Sequence, residues 1–310
     1  LDASQVASLK TSQVAVLQSR DLGAIQSSVI SALTTAQVNV LSTQQVVGWT
    51  TAQVRALTSV QVSALTTQSL ATLKTDQTAS LNSAQLNALT AAQFAAMTTA
   101  QAEAIPVATL KNVATSTLAG LTTAQVQALT TAQIQGLSAS QVGSLSTLQF
   151  GALELVDAAS LTTQQSAAFT TDQITALSTA QVEVLTSNVV ASLSSQQLRS
   201  LQTHQVVALT TQQSQALSSA QIAGMRTEQV AALETRDLAA MSTLQLAGLT
   251  TAQAAALTTA QVFALSTAQW SSLTATQVPA VSTQAVQALG TAQVAALRAV
   301  QAAALTTAQL

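Results

Sequence analysis

The stretch Leu121 to Ala128 reads L-T-T-A-Q-V-Q-A, and near-copies of it make up the whole chain. Leu257 to Ala264, for example, reads L-T-T-A-Q-V-F-A. Steps of eight residues from Leu1 to Leu305 give 39 positions that are all apolar, 30 of them leucine, without any insertion or deletion. We number each eight-residue unit, or octad, from this residue as columns one to eight. We expect residues 1–310 to form a single continuous array whose last octad is partial.

The columns differ in how strictly they are kept. Column six is apolar in 36 of 39 octads, column five is glutamine in 30 of 39, and column three is serine or threonine in 32 of 39. Column eight is alanine, glycine or serine in 33 of 38 octads, which favours a close approach of two backbones. Columns two, four and seven vary most, and we expect them to face solvent.

One continuous helix does not fit this period. Eight residues advance a helix by about 80° beyond two full turns, so the leucine column would circle the axis. Serine or threonine at column two, followed by glutamine at column five, is a capping box, the signature of a helix start. Leucine at column one and valine at column six are spaced as a hydrophobic staple around the same start. The pattern therefore predicts one short helix in every octad, from about column three to column eight.

A β-solenoid is the alternative, because threonine and valine favour strands. Its tight corners need glycine or asparagine, yet the chain has nine glycines and five asparagines for 39 octads. Alanine, leucine and glutamine favour helix. A single octad cannot bury enough apolar surface to fold alone, so neighbouring octads must shelter one another. We predict an all-α solenoid of very short helices, and the absence of polar end repeats suggests a segment of a longer array or ends that pair with copies.

Composition excludes several classes of function. Only 6% of residues are charged, against about 25% in a typical domain, and the net charge is −2. This balance argues against a nucleic-acid partner, which a basic surface would bind. There is no cysteine for disulfides or thiolate metal sites, and one histidine is too few for acid–base chemistry. No apolar run is long enough to span a membrane.

We therefore predict that the protein is not an enzyme and has no catalytic, cofactor-binding or metal site. His204 lies in a variable column without a second histidine or a cysteine. The carboxylates Glu154 and Asp157, like Glu228 and Glu234, are interpreted as scattered variants of the solvent-facing columns. They do not form a calcium-binding loop motif.

A few unusual residues interrupt the pattern. Trp49 and Trp270 occupy columns one and six, which predicts that they fill the core. Pro106 in column two is compatible with a helix start, whereas Pro279 in column seven should end or bend its helix. The segment 105–120 has no glutamine in either octad, so it is either a weak joint or tolerated drift.

Two resemblances arise from the octad itself. Leu41 to Gly48, L-S-T-Q-Q-V-V-G, resembles the first helix of TAL-effector repeats, but their second helix and base-reading loop have no counterpart here. The unbroken L-T-T-A-Q-V-x-A array is similar to long octad-repeat surface proteins of Gram-negative bacteria, described as adhesin-like or nanofilament proteins. That resemblance covers the whole chain and implies an extracellular or cell-surface location.

Three functions are open at this point. The first is an extracellular structural protein that forms or extends a filament by solenoid stacking and by end-to-end or lateral association with its own copies. The second is an adhesin stalk or spacer, or a repeat-type binding module. The third is ice binding through a regular threonine-rich face.

Overall fold

A computed structural model describes residues 1–310, and its secondary structure is entirely helical, which confirms the predicted all-α class over a β-solenoid. Each α-helix is four to six residues long and begins at column three of its octad. The helices are α1 Ala3–Ser8, α2 Thr11–Ala15, α3 Ser19–Gly23, α4 Ser27–Ile30, α5 Thr35–Asn39, α6 Thr43–Val47, α7 Thr51–Ala56, α8 Ser59–Ser63, α9 Thr67–Thr72, α10 Thr75–Ala79, α11 Ser83–Asn87, α12 Ala91–Ala95, α13 Thr99–Ala104, α14 Val107–Leu110, α15 Thr115–Leu118, α16 Thr123–Gln127, α17 Thr131–Gly136, α18 Ala139–Gly143, α19 Thr147–Gly151, α20 Leu155–Ser160, α21 Thr163–Ser166, α22 Thr171–Ala176, α23 Thr179–Val184, α24 Ser187–Ser192, α25 Ser195–Ser200, α26 Thr203–Val207, α27 Thr211–Ala216, α28 Ser219–Gly224, α29 Thr227–Ala232, α30 Thr235–Ala240, α31 Thr243–Ala247, α32 Thr251–Ala256, α33 Thr259–Ala264, α34 Thr267–Ser272, a 3-10 helix Val278–Ala280, α35 Thr283–Gln287, α36 Thr291–Ala295 and α37 Ala299–Ala302.

Two extended residues separate successive helices. Leu257 in column one has φ −60° and ψ 132°, and Thr258 in column two has φ −73° and ψ 157°. Both conformations are open to any L-residue, and no residue of the chain has a positive φ. Each corner is therefore turned without glycine, which explains why the chain needs so few of them.

The predicted capping box starts most of the helices. At α33 the Thr258 hydroxyl accepts a hydrogen bond from the backbone N–H of Gln261 at 3.2 Å, and the Gln261 side-chain oxygen accepts from the backbone N–H of Thr258 at 2.9 Å. The N-cap is thus column two, as the motif predicts. Two of the four backbone N–H groups that a helix start leaves unpaired are satisfied in this way.

The chain forms two compact units, Leu1–Asp157 and Ala158–Leu310, which are described separately. Within each unit, helices pack on the helices three octads, or 24 residues, before and after them. One turn of the solenoid therefore contains three octads, which the octad pattern alone does not predict.

Each unit consists of stacks of helices spaced in this way. Two stacks matter below and are named after one member each. In the first unit the α3 stack comprises α3, α6, α9, α12, α15 and α18, and in the second the α24 stack comprises α21, α24, α27, α30, α33 and α35.

The apolar side chains of columns one and six form the core of each unit. Val262 in column six is fully buried, and Leu257 in column one is 3% exposed. Trp49 and Trp270 are buried as predicted, although neither indole N–H finds a hydrogen-bond partner. Stability therefore comes from apolar area shared between octads, as in other repeat arrays.

Column eight is where neighbouring helices come closest. A Cβ placed on Gly120 would lie 2.9 Å from the Cα atom of Ala91, and one on Gly224 would lie 2.7 Å from the Cβ atom of Ser195. Both partners lie in column three of the octad stacked on that glycine. This geometry confirms the prediction that column eight needs small residues.

The two prolines act differently. Pro106 is the N-cap residue of α14, with φ −60° and ψ 141°. Pro279 lies inside the 3-10 helix Val278–Ala280, which takes the place of the α-helix in that octad. The predicted local disruption at Pro279 is therefore observed, because proline removes a backbone donor and restricts the turn.

Candidate functional site

Twenty-five glutamine side chains of column five are buried, and each of these connects one turn of the solenoid to the preceding turn. Gln253 is 1% exposed. Its Oε1 accepts from the backbone N–H of Thr250 at 2.8 Å, which completes the capping box. Its Nε2 donates to the backbone oxygens of Ile222 at 2.7 Å and Met225 at 2.8 Å. One amide therefore satisfies backbone groups in its own octad and in the neighbouring turn.

The same bond recurs along both units, and we call this set the glutamine ladder. In every member, Nε2 lies 2.5 to 2.8 Å from the column-one carbonyl oxygen 28 residues earlier. The members are Gln37, Gln45, Gln53, Gln61, Gln77, Gln85, Gln93, Gln101, Gln125, Gln133, Gln141 and Gln149 in the first unit, and Gln197, Gln205, Gln213, Gln221, Gln229, Gln245, Gln253, Gln261, Gln269, Gln277, Gln293, Gln301 and Gln309 in the second.

The ladder requires a neutral amide. A capping box accepts either glutamate or glutamine, because only an acceptor oxygen is needed. The second half of the contact needs N–H donors aimed at carbonyl oxygens, which a carboxylate does not have. A buried glutamate would also place an unpaired charge against those carbonyls.

Sequence reasoning missed this role, because it assigned the glutamine to the capping box alone. The signal was present in the residue counts. Glutamate never occupies column five, although a capping box alone would allow it. The exclusion of glutamate indicates a donor function for the side chain.

The ladder is interrupted at nine octads, and six of the interruptions follow a longer period. On the α3 stack they lie at Asp21, Ser69 and Thr117, and on the α24 stack at Val189, Asp237 and Ala285. Within each stack they are 48 residues apart, so every second helix lacks the glutamine. The remaining three are Val29, Thr109 and Asp157.

Asp157 occupies column five and is 2% exposed, so its interpretation as a variant of a solvent-facing column is wrong. The Thr131 hydroxyl donates to its carboxylate at 2.8 Å. Burial raises the pKa of Asp157 above the ordinary 3.8; the bond from Thr131 lowers it, and the charge of Glu154 raises it further.

Asp237 also occupies column five, in an octad of the second unit. Thr211 donates to its Oδ1 at 2.5 Å, Arg236 Nε lies 3.5 Å from the same oxygen, and Oδ2 is buried without a partner. Arg236 also lies 2.7 Å from Glu234. Arg236 is the residue before Asp237, so a basic side chain lies beside the buried carboxylate. The residue before Asp157 is Val156, which is apolar.

The other candidate residues stay apart. His204 is exposed on α26, and Glu228 is accompanied only by a long contact, 3.4 Å, from the Thr227 hydroxyl. The chain has no group of three or more histidine, cysteine, aspartate or glutamate side chains that would hold a metal ion. No helix has the length and hydropathy to cross a membrane.

The arrangement defines a repeat protein whose most constrained polar residues serve contacts between its own turns. A model of the ALTTAQ repeat family matches residues 14–51, 40–67, 190–227 and 230–267, and these matches together cover less than half of the chain. No curated protein matches the chain.

Proposed function

We propose that this chain is an extracellular structural repeat protein that forms or extends a filament through solenoid stacking and self-association. The glutamine ladder is the observation that carries the proposal. Each turn presents amide donors toward the preceding turn and carbonyl acceptors toward the following one. Repeated contacts between two different surfaces generate an open filament when the rotation from copy to copy does not close a ring.

The composition supports the same role. With 6% charged residues and a net charge of −2, neighbouring copies repel one another little. The nine lysine and arginine residues also leave few sites for trypsin-like proteases, which suits a protein outside the cell. Labelling of intact, unpermeabilised source cells with an antibody against the chain tests this location.

Negative-stain electron microscopy and sedimentation velocity of the 310-residue chain, over a range of concentrations, test assembly. We expect rods of constant width whose length increases with protein concentration. An internal deletion of residues 241–264 removes three octads and keeps the order of the stacks, so the second unit should shorten by one turn. Compact particles of one size at every concentration would contradict the proposal.

A further inference from the structure

Because one turn contains three octads, the exposed column-four residues of each stack form a row of their own. On the α24 stack this row begins with Gln164, Asn188, Gln212 and Arg236, all exposed. We call the three amides Gln164, Asn188 and Gln212 the amide row. Column four of the other two stacks of this unit contains one amide and five alanines among twelve residues: Asp172, Gln196, Ala220, Leu244, Ala268 and Ala292 on one, and Ala180, His204, Glu228, Ala252, Thr276 and Val300 on the other.

The amide row does not stabilise its own chain. None of its three side chains hydrogen-bonds within the molecule, in contrast to the buried glutamines of column five. Alanine, the usual residue of column four, is the best helix former, and asparagine is considerably poorer. All three amides are thus exposed on their helices without an intramolecular side-chain bond, and Asn188 also lowers the helix propensity of its octad.

The first unit carries a similar arrangement. Arg20, Gln44 and Gln68 are exposed in column four of α3, α6 and α9, which belong to the α3 stack. In both units, this is the stack on which the glutamine ladder is interrupted every 48 residues. One stack of each unit thus differs from the other two both inside and on its surface.

The surface beside the amide row is grooved. A groove of about 480 Å³ lies where α27 and α30 meet, and Gln212, Arg236 and Thr210 are among the residues that line it. Adjacent members of the row are 24 residues apart in sequence and lie on helices that pack together. Packed helices are about 8 to 10 Å apart, which sets the repeat of the row.

We propose that the amide row binds the amide row of a second copy of this chain. A primary amide has both donor hydrogens and an acceptor oxygen, so like side chains pair with one another. Only a partner with the same repeat meets every member of the row in register, and a second copy has that repeat. The proposal rests on the filament proposed above and names its lateral contact.

Such a contact differs from end-to-end stacking in its symmetry. When the same row meets itself about a two-fold axis, the interface is closed and admits one partner. End-to-end stacking has no such limit. Together the two contacts give a filament of fixed width, two chains across.

Two sets of variants test the pairing by sedimentation equilibrium of the full chain. We expect Gln164→Ala/Asn188→Ala/Gln212→Ala to raise the dissociation constant of the pair by about tenfold or more. The matched control, Gln127→Ala/Gln135→Ala/Gln196→Ala, removes three exposed glutamines from other stacks and should pair like the original chain. Unchanged pairing of the first variant would overturn the proposal. An original chain that forms no side-by-side pairs would overturn it as well.

Charge substitutions give a test that does not depend on folding defects. Gln164→Lys/Gln212→Lys and Gln164→Glu/Gln212→Glu should each pair poorly alone, because like charges meet, and should pair with one another when mixed. Equal pairing of all combinations would overturn the inference. Pairs that never grow into longer fibres would contradict the proposed end-to-end growth but not the lateral contact. Long fibres that are one chain wide would contradict the lateral contact but not the end-to-end growth.

Discussion

Residues 243–278 and residues 105–120 follow the same octad plan, but only the first segment keeps its glutamines. From Gln245 to Gln277 five consecutive octads contribute to the ladder. In residues 105–120, Thr109 and Thr117 occupy column five, and α14 and α15 are four residues long without a side-chain cap.

The second segment has a partial replacement. The Asn87 side chain donates to the Asn112 carbonyl oxygen at 3.2 Å and accepts from the Ala114 backbone N–H at 2.7 Å. The column-one carbonyls of Leu81 and Leu89, which a glutamine at 109 or 117 would reach, receive no side-chain bond. The comparison teaches that the apolar columns are enough to maintain the solenoid, and that the glutamines add side-chain bonds between its turns where they occur. The weak joint at 105–120 stays a prediction.

The largest effect is expected when a charge enters the intact ladder. Gln253→Glu leaves a buried carboxylate facing the carbonyls of Ile222 and Met225, and should cost about 3 to 5 kcal/mol of stability. Hydrogen exchange of the surrounding turns measures this locally, because long repeat arrays do not unfold in a single step. Gln127→Glu, at an exposed site, is the control and should change stability by about 0.5 kcal/mol or less. Equal exchange rates in the two variants would show that the ladder needs no donor.

The next largest effect on stability is expected from adding a glutamine to the ladder in an octad that lacks one. Pro106→Thr/Thr109→Gln supplies both the amide and the backbone N–H that its oxygen needs. We expect about 1 kcal/mol for each bond gained, and slower amide exchange in the turn that contains Leu81. Pro106→Thr alone is the reference. If the double variant exchanges no more slowly than this reference, the missing glutamine is not the cause of a weak joint.

Replacing the N-cap alanine of α15 tests the cap separately from the ladder. Ala114→Ser places a hydroxyl where it accepts the backbone N–H of Thr117, and caps of this kind are worth about 1 kcal/mol. Hydrogen exchange of the amides around Thr117 should become slightly slower. Ala124→Ser, inside α16, is the matched control and should not slow exchange; an equal slowing in both variants would rule out capping.

The smallest effect on stability depends on pH and concerns a column-five position that is occupied by aspartate. Folding raises the pKa of Asp157 above 3.8, so the folded chain binds the proton more tightly than the unfolded chain. Stability therefore falls as the pH rises from the unfolded to the folded pKa. Asp157→Asn should increase the protection of the surrounding amides from hydrogen exchange at pH 7, and this gain should vanish below pH 3.8. Asp172→Asn, at an exposed site, is the control for the substitution itself. A gain for Asp157→Asn that persists at low pH would contradict the assignment.

Much of the fold follows from local patterns. The capping box places the N-cap at column two, and the small residues of column eight, such as Gly120, indicate close helix contacts. The number of octads per turn does not follow, because it depends on the angle added at each corner by two extended residues. Local preferences permit a range of such angles, and packing between residues 24 apart selects one.

The candidate site was predicted only in part. The amide oxygen of Gln253 bonds within its own octad, so the capping motif reveals it, whereas the amide nitrogen bonds 28 residues away. The amide row shows the same limit. Gln164, Asn188 and Gln212 look like random variation until three octads are known to make a turn.

The three-octad turn bears on how a gene for such an array can change in length. Loss or duplication of a 24-residue block by unequal recombination returns each later residue to its original stack. A slip of a single octad keeps the backbone geometry of every corner, but it rotates all downstream side chains onto a different face. Natural length variants that retain lateral recognition should therefore differ by multiples of 72 base pairs.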